Sequence, residues 1–174
     1  MGFIICQETD KTFNKRNSFY GEFLGTSGSV CSINYDRILI QNKNSLVDLS
    51  LGYGYFPFFK DVNPIIGIPI SINLTTGLSN HHFEIGAGLT YNSGIVQRKY
   101  DYAAIGGSLV SNSTAESLVA LWCSFRLGYK YQKPNGGLFL RIGFTPLFKL
   151  KTFSIFDNGN NIFSLFGLGV GYTI

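Results

Sequence analysis

The side chains able to do chemistry are few and widely spaced. His81 and His82 are the only histidines of the chain and stand side by side in LSNHHFEIGAG. Paired imidazoles can ligate a metal, yet no carboxylate or cysteine sits at useful ligand spacing nearby. Turn-exposed or interface histidines are the expectation. Acyl transfer or proteolysis needs a histidine base beside an acid and a hydroxyl. Asp101 and Ser108 share one polar stretch, but no histidine falls within it. GYGYF and GAGLT superficially look like phosphate loops, although neither precedes a helix. Cys6, Cys31 and Cys123 are an odd set with no metal-ligand spacing, which argues against a zinc site and a disulfide scaffold. No catalytic residue, metal or cofactor is expected, and the chain does not read as an enzyme.

What remains is a set of charges sharing one phase. Glu22, Asp36, Asp48, Glu84, Arg126, Lys130 and Arg141 each alternate with bulky apolar neighbours. Period-two alternation places the two sets on opposite faces of strands. PIIGIPISINLTT, residues 64 to 76, shows the rule: Ile66, Ile68, Ile70, Ile72 and Leu74 take one face, with Ser71, Asn73 and Thr75 on the other. Glu22, Asp48, Glu84, Arg126 and Arg141 form the candidate charge network, and in the lumen of a membrane barrel Glu84, Arg126 and Arg141, on three consecutive strands, could pair. Such charges either satisfy one another and lock strand register, or line a small ion path or gate. A narrow interior with little room for water favours the first.

Eight segments carry the pattern: SFYGEFLGT, VCSINYDRIL, SLVDLSLGYGYF, PIIGIPISINLTT, HFEIGAGLTYN, SLVALWCSFRLGYKY, GLFLRIGFTPLF and FSLFGLGVGYTI. The expected fold is all-β, a closed antiparallel up-and-down transmembrane β-barrel of about eight strands spanning residues 18–174, whose strands need roughly 9–11 residues each. Composition agrees. Of 174 residues, 14% are charged and 16% aromatic, with 21 glycines and 10 tyrosines. An ordinary soluble domain carries about 25% charged residues. No apolar run reaches the ~20 residues a spanning helix needs. The net charge of +4 comes from scattered residues such as Lys43, Lys60, Arg98, Lys99, Lys133, Lys149 and Lys151. They form no stripe, so nucleic acid is not an expected partner, whereas anionic lipid headgroups suit them.

The connections sort by length. QNKNS, LSNH and QKPNGG are short, while PFFKDVN, residues 95 to 116 and residues 149 to 161 are longer. All but the first hairpin, turning at Ser27 and Gly28, obey the short-inside, long-outside rule of membrane barrels. Tyr53, Tyr55, Phe56, Tyr91, Tyr129, Tyr131, Phe144, Phe148 and Tyr172 fall near strand ends on the apolar face, as an interfacial girdle does. Gly86, Gly88, Gly167, Gly169 and Gly171 leave room inside for Trp122 and Phe139. An eight-strand interior is wide enough only for side chains, so a plugged lumen is expected. Pro69 sits mid-strand and calls for a bulge, or for a strand starting nearer Ser71.

The sixth and seventh strands, LGYKYQKPNGGLFLRIGFTPLF, resemble a hairpin of small outer-membrane β-barrel proteins from Bacteroidota-type bacteria. The resemblance rests on Gly128, Tyr129, Tyr131, Gln132, Gly136, Gly137, Phe139, Arg141, Gly143, Phe144, Thr145, Pro146 and Leu147. SFYGEFLG, LGYGYFP and NHHFEIGAGLT are similar to that family too, so most of residues 18 to 174 take part. Such barrels more often end in Phe, where this chain ends on Ile174. The resemblance implies a bacterial outer-membrane barrel behind a signal peptide, but no activity. MGFIICQETD reads as the end of that peptide, so residues 1–17 are its remnant plus a polar leader, and translation is expected to start upstream of Met1. Lipid modification of Cys6 fits less well, given Ile5 before it. Implied partners are outer-membrane lipid and lipopolysaccharide, the barrel-assembly machinery, and an extracellular ligand at the 95–116 loop. The expected role is structural, porin-like or surface-interacting. The rival readings are a soluble lipocalin-like carrier and an outer-membrane lipid-modifying enzyme.

Overall fold

The computed structural model describes residues 12–42, 44–56, 65–78, 80–103, 109–152 and 162–174. Eight strands run in chain order: β1 (Asn17–Phe23), β2 (Cys31–Gln41), β3 (Ser45–Phe56), β4 (Ile65–Leu78), β5 (His81–Ala103), β6 (Leu109–Gln132), β7 (Gly137–Thr152) and β8 (Ile162–Thr173). Each pairs antiparallel with the next, and β8 closes on β1. The all-β, closed up-and-down barrel read from the alternation is the fold. Among the described residues no helix is long and apolar enough to cross a membrane, a statement that does not bear on strands.

The register sets the tilt. Ser18, Asp36, Ser50, Ser71, Gly88, Ser124, Leu147 and Phe163 are successive ladder partners around the wall. The β8–β1 pairing of Leu168 with Phe23, carried on in the same register, brings Phe163 level with position 28. One circuit from Ser18 therefore climbs ten residues, 28 against 18, and a stagger of that kind tilts the strands by about 40°.

The polarity of the wall is inverted relative to a water-soluble core. Ile66, Ile68, Ile70, Ile72 and Leu74 of β4 face outward and are exposed, as are Ile33, Leu51, Ile85, Leu127, Ile142, Leu168 and Val170 around the circumference. Ser71, Asn73 and Thr75 face inward and are buried. Tyr129 and Tyr172 ring the short-turn end outside, and Tyr53, Tyr55, Tyr91 and Phe148 the loop end. Phe144 lies at mid-height instead, because β7 continues to Thr152. The side chain of Phe56 lies outside the described residues. Cys31 faces outward and Cys123 is half-buried, while Cys6 lies outside the described residues.

Three local expectations change. First, β1 stops at Phe23 rather than Thr26, because Leu24 (φ 57°) and Gly25 (φ 105°) turn the chain inward. Second, most of the expected 95–116 loop is strand. Pairing runs to Ala103 and Leu109, although β4 leaves β5 at Ser93 and β7 leaves β6 at Ala120. A two-stranded ribbon thus extends beyond the barrel wall, and only 104–108 fall outside the described residues. Third, Pro69 needs neither a bulge nor a late strand start. The β3–β4 register is the same on both sides of it, and only the ladder pairs at Gly52 and Tyr53 are missing. Pro69 packs inward against Gly52, where a Cβ would lie 2.9 Å from the proline ring. The lost hydrogen bonding is local, so the closed sheet tolerates it.

Candidate functional site

Strand alternation delivers seven ionisable side chains to the lumen. Glu22 (β1), Asp36 (β2), Asp48 (β3), Glu84 (β5), Arg126 and Lys130 (β6) and Arg141 (β7) are each no more than 2% exposed. Charges this desolvated persist only when paired and hydrogen-bonded. The bases lie on β6 and β7, with Lys130 and Arg141 direct ladder partners. Two like charges abreast repel. The acids relieve this from across the lumen and from β5.

Arg141 binds Glu84 in a two-pronged contact, through Nε at 2.9 Å and through Nη2. Its Nη1 donates to the Tyr20 hydroxyl and reaches Asp36 at 3.4 Å. Lys130 Nζ lies 2.8 Å from Asp48 and 3.3 Å from Asp36. Asp48 also accepts from Asn73 Nδ2 at 2.7 Å and from Thr75 Oγ1 at 3.2 Å. Asp36 accepts from the Tyr20 hydroxyl at 3.1 Å. Tyr20 stacks on Phe139 at 4.9 Å, and Lys130 lies over the Phe139 ring at 5.3 Å. Gly171, between β1 and β7, makes that packing possible: a Cβ there would meet Tyr20 and the Phe19 carbonyl.

A second cluster lies nearer the loop end. Arg126 Nη2 pairs with Glu22, whose carboxylate also accepts from Thr26 Oγ1 at 3.2 Å. Arg126 Nε and Nη1 have no protein partner among the described residues. Of the three residues that could pair, Glu84 takes Arg141, while Arg126 takes Glu22 instead. The strand stagger explains this, because ladder neighbours in sequence order are not neighbours in height. Asp36 and Lys130, on the charged face but outside the candidate network, and Tyr20, missed altogether, are its hinges. Inward parity within each strand was the available signal: Tyr20 shares it with Ser18 and Glu22, Asp36 with Asn34, and Lys130 with Arg126.

Toward each end of the lumen the chain packs residues of its own inside the wall. At the short-turn end, Phe13 of the leader is buried against Ile38 and Leu46 and lies 5.7 Å from the His82 ring. Its amide donates to Gln41 Oε1 at 3.1 Å, and the amides of Asn14 and Lys15 bind the Pro134 carbonyl. At the other end, residues 24–30 fold into the barrel. Thr26, Ser27 and Ser29 are buried, and Thr90 Oγ1 donates to the Thr26 carbonyl at 2.7 Å. Gly25 allows the fold, because a Cβ there would lie 2.5 Å from the Glu22 carboxyl carbon.

The histidines do not act together. His81 faces outward, bonded to the Tyr129 hydroxyl at 2.6 Å, and His82 faces inward, where it is buried rather than turn-exposed. Adjacent strand residues point to opposite faces, so the pair cannot share a metal. No group of three or more His, Cys, Asp or Glu among the described residues is placed to hold one. Asp101 sits in the β5 ribbon, and Ser108 lies outside the described residues. Trp122 does not fill space left by a glycine. It stands at the loop end against Phe163, ring centroids 5.5 Å apart.

The pairing gives a measurable expectation. Arg126→Met leaves Glu22 buried without its cation and costs about 3–5 kcal/mol in urea unfolding of the refolded protein. Adding Glu22→Gln restores most of that loss. A cost below about 1 kcal/mol for Arg126→Met, the value of a surface pair, would show the lumen to be wet. No protein-family model, curated protein or solved structure matches the chain.

Proposed function

We propose that the chain is an integral β-barrel of a bacterial outer membrane, sealed along its axis, that anchors and presents its loop-end surface. The observation carrying this reading is the inverted polarity: bulky aliphatic side chains outward around the whole wall, seven ionisable groups inward. A soluble monomer rarely exposes a contiguous apolar patch beyond about 300–600 Å². A lipocalin-like carrier needs the reverse arrangement, with an apolar interior and a polar exterior. Hydrocarbon tails suit the aliphatic belt, with aromatic residues at its two borders and lipopolysaccharide around its outer rim. Assembly would require the barrel-assembly machinery.

We place the chain with the small outer-membrane barrels of Bacteroidota-type bacteria that its β6–β7 hairpin resembles. Phe139, Arg141, Gly143, Thr145 and Leu147 of that motif form the inward face of β7, so the resemblance falls on residues with a structural reason to be there. The role we assign is surface interaction rather than catalysis or transport. The β5–β6 ribbon, within residues 95–116, is the reach available to an external partner. His81 and His82, on opposite faces, offer no shared acid–base centre. Phe13 at one end and residues 24–30 at the other oppose conduction.

Two experiments test this reading. Ile72→Arg, at mid-height on the outer face, lowers stability in phospholipid vesicles by about 2–4 kcal/mol. A change within about 0.5 kcal/mol, with the chain folded in plain buffer, is the behaviour of an exposed residue on a soluble barrel and would refute membrane insertion. In planar bilayers the refolded protein is electrically silent. Discrete openings that vanish in Arg126→Ala or Glu84→Ala would make the charges an ion path and overturn the sealed reading.

A further inference from the structure

The inward phase of the wall changes character toward the loop end. On β7, Arg141 and Thr145 give way to Leu147, and on β6, Arg126 and Ser124 give way to Trp122. On β8, Gly169 and Gly167 are followed toward that end by Leu165 and Phe163, and on β4, Asn73 and Ser71 by Gly67 and Ile65. These apolar side chains wall a pocket of about 370 Å³ whose floor is Leu24, Ser27, Gly28 and Ser29. The polar groups of its lining are turned away. Thr90, Ser27 and Ser29 are no more than 3% exposed. Ser29 Oγ donates to Ser27 Oγ at 2.7 Å, and Thr90 Oγ1 donates to the Thr26 carbonyl. Asn92 Oδ1 is buried against Gly67, out of a ligand's reach. The surface presented is mostly hydrocarbon and aromatic ring, which favours an apolar occupant. The rim differs. Lys149 is the ladder partner of Trp122 and the next inward position of β7 beyond Leu147. Its Nζ lies over the Trp122 ring, 5.9 Å from the centroid, and the residue is only partly buried.

We propose that this pocket binds a medium-chain carboxylate, with its hydrocarbon chain against Trp122, Leu147 and Leu165 and its carboxylate at the rim beside Lys149. The volume suits about a dozen non-hydrogen atoms at protein packing density, the size of a medium-chain fatty acid. Ligand sites of this type are concave and mostly apolar, with few fixed polar groups. Seating the chain removes apolar surface of both partners from water. An ammonium at the mouth holds the head group by charge-assisted hydrogen bonding while water still reaches it, so the anion is never sunk unpaired into the apolar part. This site goes beyond the anchoring role above and does not require it, since the pocket belongs to the barrel in any medium.

Trp122 is the only tryptophan of the chain and lines the pocket, so it reports directly. The full chain, in phosphatidylcholine nanodiscs or in plain buffer if it folds there, is titrated in mildly alkaline solution with ω-bromooctanoate, whose bromine quenches indole at close range. Saturable quenching is expected, with ω-bromooctanol, the uncharged analogue, binding about fivefold more weakly. Partition into lipid runs the other way, because the alcohol enters a bilayer more readily than the anion, so the bilayer cannot produce that preference. Lys149→Gln removes the preference, and Lys149→Arg keeps it. Linear, non-saturable quenching, an alcohol bound as tightly as the carboxylate, or a preference that persists in Lys149→Gln overturns the proposal. So does quenching by a bromine-tailed phospholipid that octanoate fails to relieve, which would give the pocket to a bilayer lipid. The wild-type comparison of the two ligands stands even if a variant fails to fold.

Discussion

Lys130 and Arg141 face each other across the β6–β7 ladder, both pointing into a lumen from which they are not exposed to solvent. Two cations so placed cannot stay charged without acids brought to them. Asp36 and Asp48 come from the opposite wall and Glu84 from β5. Asp36 touches both cations and the Tyr20 hydroxyl, so it ties β2 to β6, β7 and β1 at once. A slip of one residue in any of these strands would turn a charge outward and leave its partner buried alone. The network therefore holds the register of the closed sheet, and the rest of the interior is arranged around it.

That constraint shapes what the barrel can do. Ion pairs, Phe13 and residues 24–30 occupy the axis of the barrel, the packing on which the sealed reading proposed above rests. The loop end carries a protruding ribbon and a mostly apolar pocket. The Glu22–Arg126 pair lies directly beneath that pocket and holds the carboxylate against Gly25 and Thr26, so the pocket floor is fixed by the same electrostatics.

The fold was legible because alternation is a local signal. In β4 and β8 the outward aliphatics and inward small residues read off the sequence without any knowledge of partners. Boundaries failed where another rule took over. Leu24 and Gly25 adopt left-handed backbone to carry the chain inward, and nothing in the alternation of SFYGEFLGT announces it. IVQRKYDYA reads as a loop because a ribbon beyond the wall has no neighbour strand demanding an apolar face. The charged face was legible as a face, but its pairings were not. Glu22 and Arg126 are separated by 104 residues, and only the ten-residue stagger decides which heights coincide. Tyr20 was hidden among the aromatics of SFYGEF, although its phase matched Ser18 and Glu22.

On the reading proposed above, the outer wall of this barrel meets hydrocarbon while its axis stays closed. Nitroxide labels placed singly from Ile68 to Thr76, in a cysteine-free background refolded into lipid vesicles, test it position by position. Labels at Ile68, Ile70, Ile72 and Leu74 should collide readily with lipid-dissolved oxygen, and those at Ser71, Asn73 and Thr75 with neither oxygen nor a water-soluble nickel complex. Strong collision of the isoleucine-position labels with the nickel complex would contradict the account.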